Sequence, residues 1–321
     1  MRRLLNNNRD LIALIAVLCG VALVMFVLSP ERFFAPNNLR SMAFQLPEIG
    51  ILTLAMMVAM LHGGINLAVV GTANLTAIIA ALVVHAAIPA IGNEWFVSAL
   101  GLAAGFAVSL LVGLLNGILI GYVGVSSILT TLGTMTLVSG VCIVITGGST
   151  ISRLPGPILA IGNGMFFGIP VPLLVFVLCS AGLWLILSRT VLGFNLYMLG
   201  TNAEATRYAG ISNPRTLLAD YLLSSFLASI AGVIMMARFN SAKADYGQSY
   251  LLLTILAAVL GGTSASGGYG KVIGVVLAVI MLQMLASGLN LLRVDPFFAI
   301  AMWGAILLTV ETLNHFLRHR A

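Results

Sequence analysis

The side chains able to do covalent or acid–base chemistry are few in this 321-residue chain, and they do not cluster. The four histidines, His62, His85, His315 and His319, are dispersed. Cys19, Cys142 and Cys179 each sit inside an apolar run, odd in number and without CxxC spacing, and read as small buried residues, neither a disulfide framework nor a metal site. Of nine acids, Glu48, Asp220 and Glu311 fall near or within apolar runs, each expected close enough to a run's end to reach water. HExxH and GxSxG are absent, as is any set of His, Cys, Asp and Glu at ligand spacing. The pattern argues against an enzyme, and no metal site is expected.

Ala265-Ser-Gly-Gly-Tyr-Gly-Lys271-Val272 is the nearest approach to a nucleotide motif. A Walker loop needs Gly where Ala265 stands, so that backbone can wrap the phosphates, and a hydroxyl where Val272 stands, to reach magnesium. The chain is therefore expected to bind no cofactor itself; ATP, if used, is held elsewhere. Gly261, Gly262, Gly267 and Gly268 instead predict a backbone-determined turn. Thr263, Ser264 and Ser266 are expected to bond back to its backbone, with Lys271 at the membrane surface.

What positions these residues is set by composition. The chain is 60% hydrophobic and 7% charged, against about 25% charged in a soluble domain, and its mean hydropathy is +1.11. Such a surface faces lipid. The net charge of +6 comes from basic residues scattered singly, which fits loops and helix ends and not a nucleic-acid-binding face. The expected fold is all-α, a polytopic membrane protein forming one domain over 1–321. Ten apolar runs near 11–28, 42–61, 67–90, 96–122, 126–146, 170–188, 216–237, 250–262, 271–292 and 297–316 are candidate spans. The His62–Ile65 link and the short eighth run are places for broken or re-entrant helices, so the reading spans nine to eleven crossings. Ser29-Pro-Glu-Arg offers no small-x-small cleavage site, so the first run is expected to remain as a helix.

Alternate loops collect nine Lys and Arg on one side against six on the other, and Glu31, Glu94, Asp245 and Asp295 fall on the poorer side. Both termini are accordingly expected in the cytoplasm. The longest non-helical candidates are 147–169, outside, and 189–215, inside. Within the fourth run, Gly101, Gly105, Ser109, Gly113, Gly117 and Gly121 recur every four residues and predict an inclined ridge for close helix packing.

Four stretches resemble, in order, the permease subunits of bacterial ABC importers for ribose, xylose, galactosides and related solutes. His62-Gly-Gly-Ile-Asn-Leu-Ala-Val69 is similar to that family's GGIDLSVG, Ser127-Ile-Leu-Thr-Thr-Leu-Gly-Thr-Met135 to its PPFIVTLGTM, and Leu260 to Gly270 to its IGGTSLSGGRG. Residues 192–211 resemble the cytoplasmic segment that docks on the ATPase, GxNxEAARxxGI, carried here by Gly200, Asn202, Glu204, Ala205, Arg207 and Gly210. Asn202 suits a helix cap, Glu204 the positive helix end and Gly210 its termination. Gly63, Gly64, Asn66, Thr131, Gly133 and Thr134, from the first two stretches, become candidates for the translocation path or its gate.

The resemblance implies a bacterial inner-membrane protein that pairs with a second permease, identical or different, with an ABC ATPase that uses ATP and magnesium, and with an extracytoplasmic solute-binding protein. Asn66 stands where the family has Asp, and Ala68 and Val70 replace its Ser and Gly, a departure that raises a heterodimeric pore. The implied cargo is a monosaccharide or similar uncharged polar solute. The alternatives are an autoinducer-2-type furanosyl signal in the same class and, in another class, a secondary transporter or channel that needs no ATP.

Overall fold

The computed structural model describes the backbone of residues 2–295, 298–305 and 308, with side chains from residue 14 onward. Its helices are α1 (Arg2–Leu28), α2 (Pro30–Phe33), α3 (Pro36–Leu61), α4 (Val69–Ile91), α5 (Glu94–Ile118), α6 (Ser127–Thr146), α7 (Gly156–Asn163), α8 (Val171–Arg189), α9 (Val191–Thr201), α10 (Ala203–Tyr208), α11 (Asn213–Phe239), α12 (Tyr250–Leu260) and α13 (Val272–Leu291). A π-helical turn, Leu119–Val123, prolongs α5. Two short antiparallel pairs complete the description: β1 (Ile151–Ser152) against β4 (Ser241–Ala242), and β2 (Met165–Phe166) against β3 (Ile169–Pro170).

Seven of these helices are long and apolar enough to cross a bilayer: α3, α4, α5 with its π turn, α6, α8, α11 and α13. The fold is thus all-α and multi-pass. Three of the ten expected runs differ from complete described spans. The first belongs to α1, whose apolar part with described side chains is Leu14–Leu28. The eighth is α12, whose 11 residues reach about 16 Å and cannot cross a core about 30 Å thick. The tenth lies mostly outside the described residues, with helix at 298–305. The two longest non-helical candidates hold helix: 147–169 contains α7, and 189–215 contains α9 besides α10, the short helix expected there. Their Gly and Pro content hides helices because both residue types also start and stop helices.

Burial ranks the helices. From Leu46 to Leu61, α3 is enclosed on nearly every side, packing on α8, α11, α12 and α13. A helix apolar all round is the hub of such a bundle. α11 crosses α3, α4 and α5, whereas α6 and α8 stay largely exposed. Links between successive helices gather at two ends. One holds residues 62–68, α9, α10 and 261–271; the other holds α2, α7 and both strand pairs.

The small-residue ridge of α5 changes partner midway. A Cβ on Gly101 would lie 2.7 Å from the Ala80 carbonyl, and one on Gly105 2.7 Å from that of Thr76, both in α4. Further on, the Ser109 hydroxyl donates to the Ser225 carbonyl at 2.6 Å. A Cβ on Gly113 would lie 2.8 Å from the Tyr221 carbonyl, one on Gly117 2.9 Å from Leu218 Cα, and one on Gly121 2.8 Å from the Pro214 carbonyl, all in α11. Steps of four drift about 40° each around a 3.6-residue helix, which turns one ridge from α4 to α11.

Candidate functional site

α10 stands at one end of the bundle as a short, separately capped helix. Asn202 Oδ1 accepts from the Ala205 amide at 2.9 Å, Glu204 occupies the first turn and Arg207 the last, an order that complements the helix dipole. Gly210, at φ +81°, ends it. Thr206 is its buried residue, and Glu204, Ala205, Arg207 and Tyr208 are exposed. Tyr208, 88% exposed, went unnoticed in the sequence. Asn213 Nδ2 donates to the Ala203 carbonyl at 2.9 Å and ties α10 to the start of α11.

Beside α10, motifs far apart in sequence meet backbone to backbone. The Leu61 carbonyl, last in α3, accepts from the Gly268 amide at 2.8 Å. Gly200 of α9 lies against the same carbonyl and against the Gly268 amide, with no room for a Cβ. Tyr197 donates its hydroxyl to the Gly270 carbonyl at 2.7 Å. Gly267 holds φ +84°, and a Cβ there would stand 2.7 Å from the Gly63 amide. Thus Gly63 of the helix break, Gly200 of the segment beside α10, and Gly267 and Gly268 of the glycine turn form one junction. The Ser264 and Ser266 hydroxyls are 2.9 Å apart. The Thr263 hydroxyl, expected to bond back to the turn, is buried without a hydrogen-bond partner among the described residues.

Above the junction, α3 breaks and resumes as α4, and polar groups satisfy the freed backbone, as a non-aqueous surrounding requires. Asn66 Nδ2 donates to Ser224 Oγ at 2.9 Å, and its Oδ1 accepts from the Ala68 amide at 3.1 Å. Ser224 in turn donates to the Ala55 carbonyl at 2.8 Å, so its remaining capacity is to accept. An amide at position 66 meets that need and a carboxylate does not; the Asn66 departure therefore has a local complement within this chain. Thr131 Oγ1 donates to the Ile65 carbonyl at 2.9 Å, and Thr134 Oγ1 to Asn116 Oδ1 at 2.6 Å. A Cβ on Gly64 would crowd the His62 ring and the Ser127 hydroxyl, while Gly133 meets no neighbour.

Two acids expected to reach water are instead buried and paired. Asp220, 0% exposed, lies with Oδ2 3.2 Å from His62 Nε2. Glu48, 1% exposed, forms an ion pair with Arg238 near the opposite end, Oε1 to Nη1 2.9 Å, with the Tyr250 hydroxyl 3.5 Å from its other oxygen. Each partner lies more than 150 positions away, so linear spacing gave no signal for either pair. Glu311 lies outside the described residues. Among the described residues, no group of three or more His, Cys, Asp and Glu comes together in a way that could hold a metal.

Residues 38–310 match the model of a family described as branched-chain amino acid transport system / permease component. This chain belongs to that family. It is similar to the ribose import permease protein RbsC of Bacillus subtilis (strain 168), at 33% identity over 92% of this chain and 89% of that one. It is similar also to the autoinducer 2 import system permease protein LsrD of Yersinia pseudotuberculosis serotype O:3 (strain YPIII), at 31% identity over 95% and 91%, and to that of Photorhabdus luminescens, at 32% over 92% and 88%. No solved structure matches the chain. It is a transport permease and a multi-pass membrane protein.

Proposed function

We propose that this chain is the membrane-spanning subunit of an ATP-driven importer that carries a monosaccharide or similar uncharged polar solute, delivered by a binding protein outside the cytoplasm. The observation that carries the reading is the junction: an exposed, capped helix, α10, joined on one side to α9, which closes on the break in α3, and on the other to α11, which holds Asp220 and Ser224. In this reading α10 docks on a separate ATPase, which binds ATP and magnesium. Movement of α10 is passed by Gly200 to Leu61 and Gly268, and so to the helix break and the half-length α12. Two packed arrangements of these elements give alternating access.

The α10 end is then cytoplasmic, as are both termini, and 192–211 is the coupling segment of a single permease domain. Gly63, Gly64, Asn66, Thr131, Gly133 and Thr134 border the path or its gate, and a second permease, identical or different, completes it. The scarcity of charge along the spans suits a neutral solute, and the ribose permease among the relatives supports a sugar. The autoinducer 2 permeases at comparable identity support a furanosyl signal as the second reading.

The test is Glu204→Lys, which reverses a charge on exposed α10 without touching a span. It is expected to leave folded permease in the membrane while lowering both co-purification of the ATPase and ATP-driven uptake of ribose into proteoliposomes containing the complete importer. Unchanged recovery and unchanged uptake would remove the docking role.

A further inference from the structure

A cavity of about 260 Å³ lies between α4, α6 and the turn before α12, just past the break between α3 and α4. Val70, Gly71, Asn74, Met135, Ser139 and Gln248 border it, with Leu251 beneath. Its position is unusual for polar groups. Ser139 stands past the middle of α6, and Asn74, 3% exposed, lies about 8 Å into α4 from the break and about 25 Å from its far end. Asn74 is held firmly: Nδ2 donates to the Ala244 carbonyl at 3.0 Å and to the Tyr246 carbonyl at 2.9 Å. These two bonds fix which end of the amide is oxygen and leave Oδ1 as an acceptor that no donor among the described residues reaches.

The turn that Asn74 holds, residues 243–249, is not helical. Irregular backbone at membrane depth is tolerated only where it is buried in protein or lines a wet cavity. The same turn carries the partly exposed pair Lys243 and Asp245, with Nζ 2.9 Å from Oδ2. Charges that face outward from such a turn need water beside them.

We propose that this cavity is a solute station on the translocation path. Asn74 Oδ1, the Ser139 hydroxyl and the Gln248 amide meet the hydroxyls of an uncharged polyol, and Val70, Met135 and Leu251 cover its carbon-bound hydrogens. A sugar presents both kinds of surface, which is what a wall mixing one fixed acceptor and two adaptable polar groups with apolar side chains can hold. The proposal rests on the reading of the chain as a permease for neutral solutes. It adds where in the protomer the solute is touched, and by which atoms.

The test uses the importer complex with Cys19, Cys142 and Cys179 replaced by Ala, into which single cysteines are placed. Ser139→Cys and Gln248→Cys are expected to react with a membrane-impermeant cationic methanethiosulfonate about tenfold faster than Leu178→Cys on the exposed apolar face of α8. Ser139→Leu, which fills the cavity, is expected to cut ATP-driven uptake of ribose, xylose or galactose about tenfold while the ATPase still co-purifies. Cysteines at 139 and 248 no more reactive than at 178 would overturn the wet cavity. Full uptake by Ser139→Leu would overturn the station. If wild-type importer moves none of the three sugars, the sugar reading fails separately, and the labelling alone judges the cavity.

Discussion

At the end that carries α10, backbone meets backbone: Leu61 accepts from Gly268, Gly200 fills the space beside both, and Gly267 abuts Gly63. At the opposite end the β1–β4 pair and the approach of Gly162 to the backbone of Ala237 and Arg238 also join main chain, but most of the links are side chains reaching across. Arg238 grips Glu48, Asn163 donates to the Ala237 carbonyl at 3.0 Å, Asn240 Oδ1 accepts from the Leu154 amide at 3.0 Å, and His85 Nε2 lies 3.0 Å from the Ser152 carbonyl. The difference matters mechanically. A glycine contact has no rotamer to absorb a displacement, so what moves α9 moves the end of α3 and the turn after α12. A side-chain latch parts and re-forms by rotation about single bonds.

The largest expected effect breaks the backbone-closed end. Gly200→Val places a branched side chain where the Leu61 carbonyl and Gly268 amide already touch, and monodisperse permease is expected to vanish from detergent extract on size exclusion. A stable, active Gly200→Val protein would show that the end is looser than its glycines imply. Next is the latch at the other end. Arg238→Ala strands a buried Glu48 and is expected to cost about 3 kcal/mol in thermal unfolding, part of which Glu48→Ala in the same chain restores. Absence of that recovery would separate the two residues energetically.

Smaller effects sharpen the contrast. Gly117→Leu pushes against Leu218 of α11 and is expected to destabilise by about 2 kcal/mol, whereas Leu114→Ala, on a partly exposed position of the same helix, costs under about 1 kcal/mol. Equal losses in a thermal melt would dissolve the ridge as a distinct feature. Asn163→Ala removes one hydrogen bond to the end of α11 and is expected to cost about 1 kcal/mol, seen as a small fall in melting temperature. A loss as large as that of Arg238→Ala would mean the latch is shared among several side chains.

Much of the architecture was legible because it follows from local pattern. Apolar runs locate spans, the four-residue spacing from Gly101 to Gly121 marks a packing face, and Asn202, Glu204 and Gly210 carry helix-end chemistry that acts within a few residues. Where local signals are ambiguous, the reading stopped short. Gly and Pro in 147–169 suggested a loop but bracket α7, and within 189–215 the helix α9 went unread beside the expected α10. The short apolar run at 250–262, closed by glycines, marked a broken or re-entrant helix, and α12 is one, 11 residues long.

By itself, the sequence determined that the chain lives in lipid, that it is all-α, and that residues 265–272 lack the Gly and the hydroxyl a Walker loop has where Ala265 and Val272 stand. All of these depend on residue type and on spacing shorter than a helix. Only the tertiary structure decided that Gly63, Gly200, Gly267 and Gly268 share one contact, that Asp220 and Glu48 are buried against His62 and Arg238, and that Ser224 asks for an amide at position 66. Those pairings join residues on different helices. Crossing geometry and depth in the bundle set which side chains face one another, and neither is written in the order of residues along the chain.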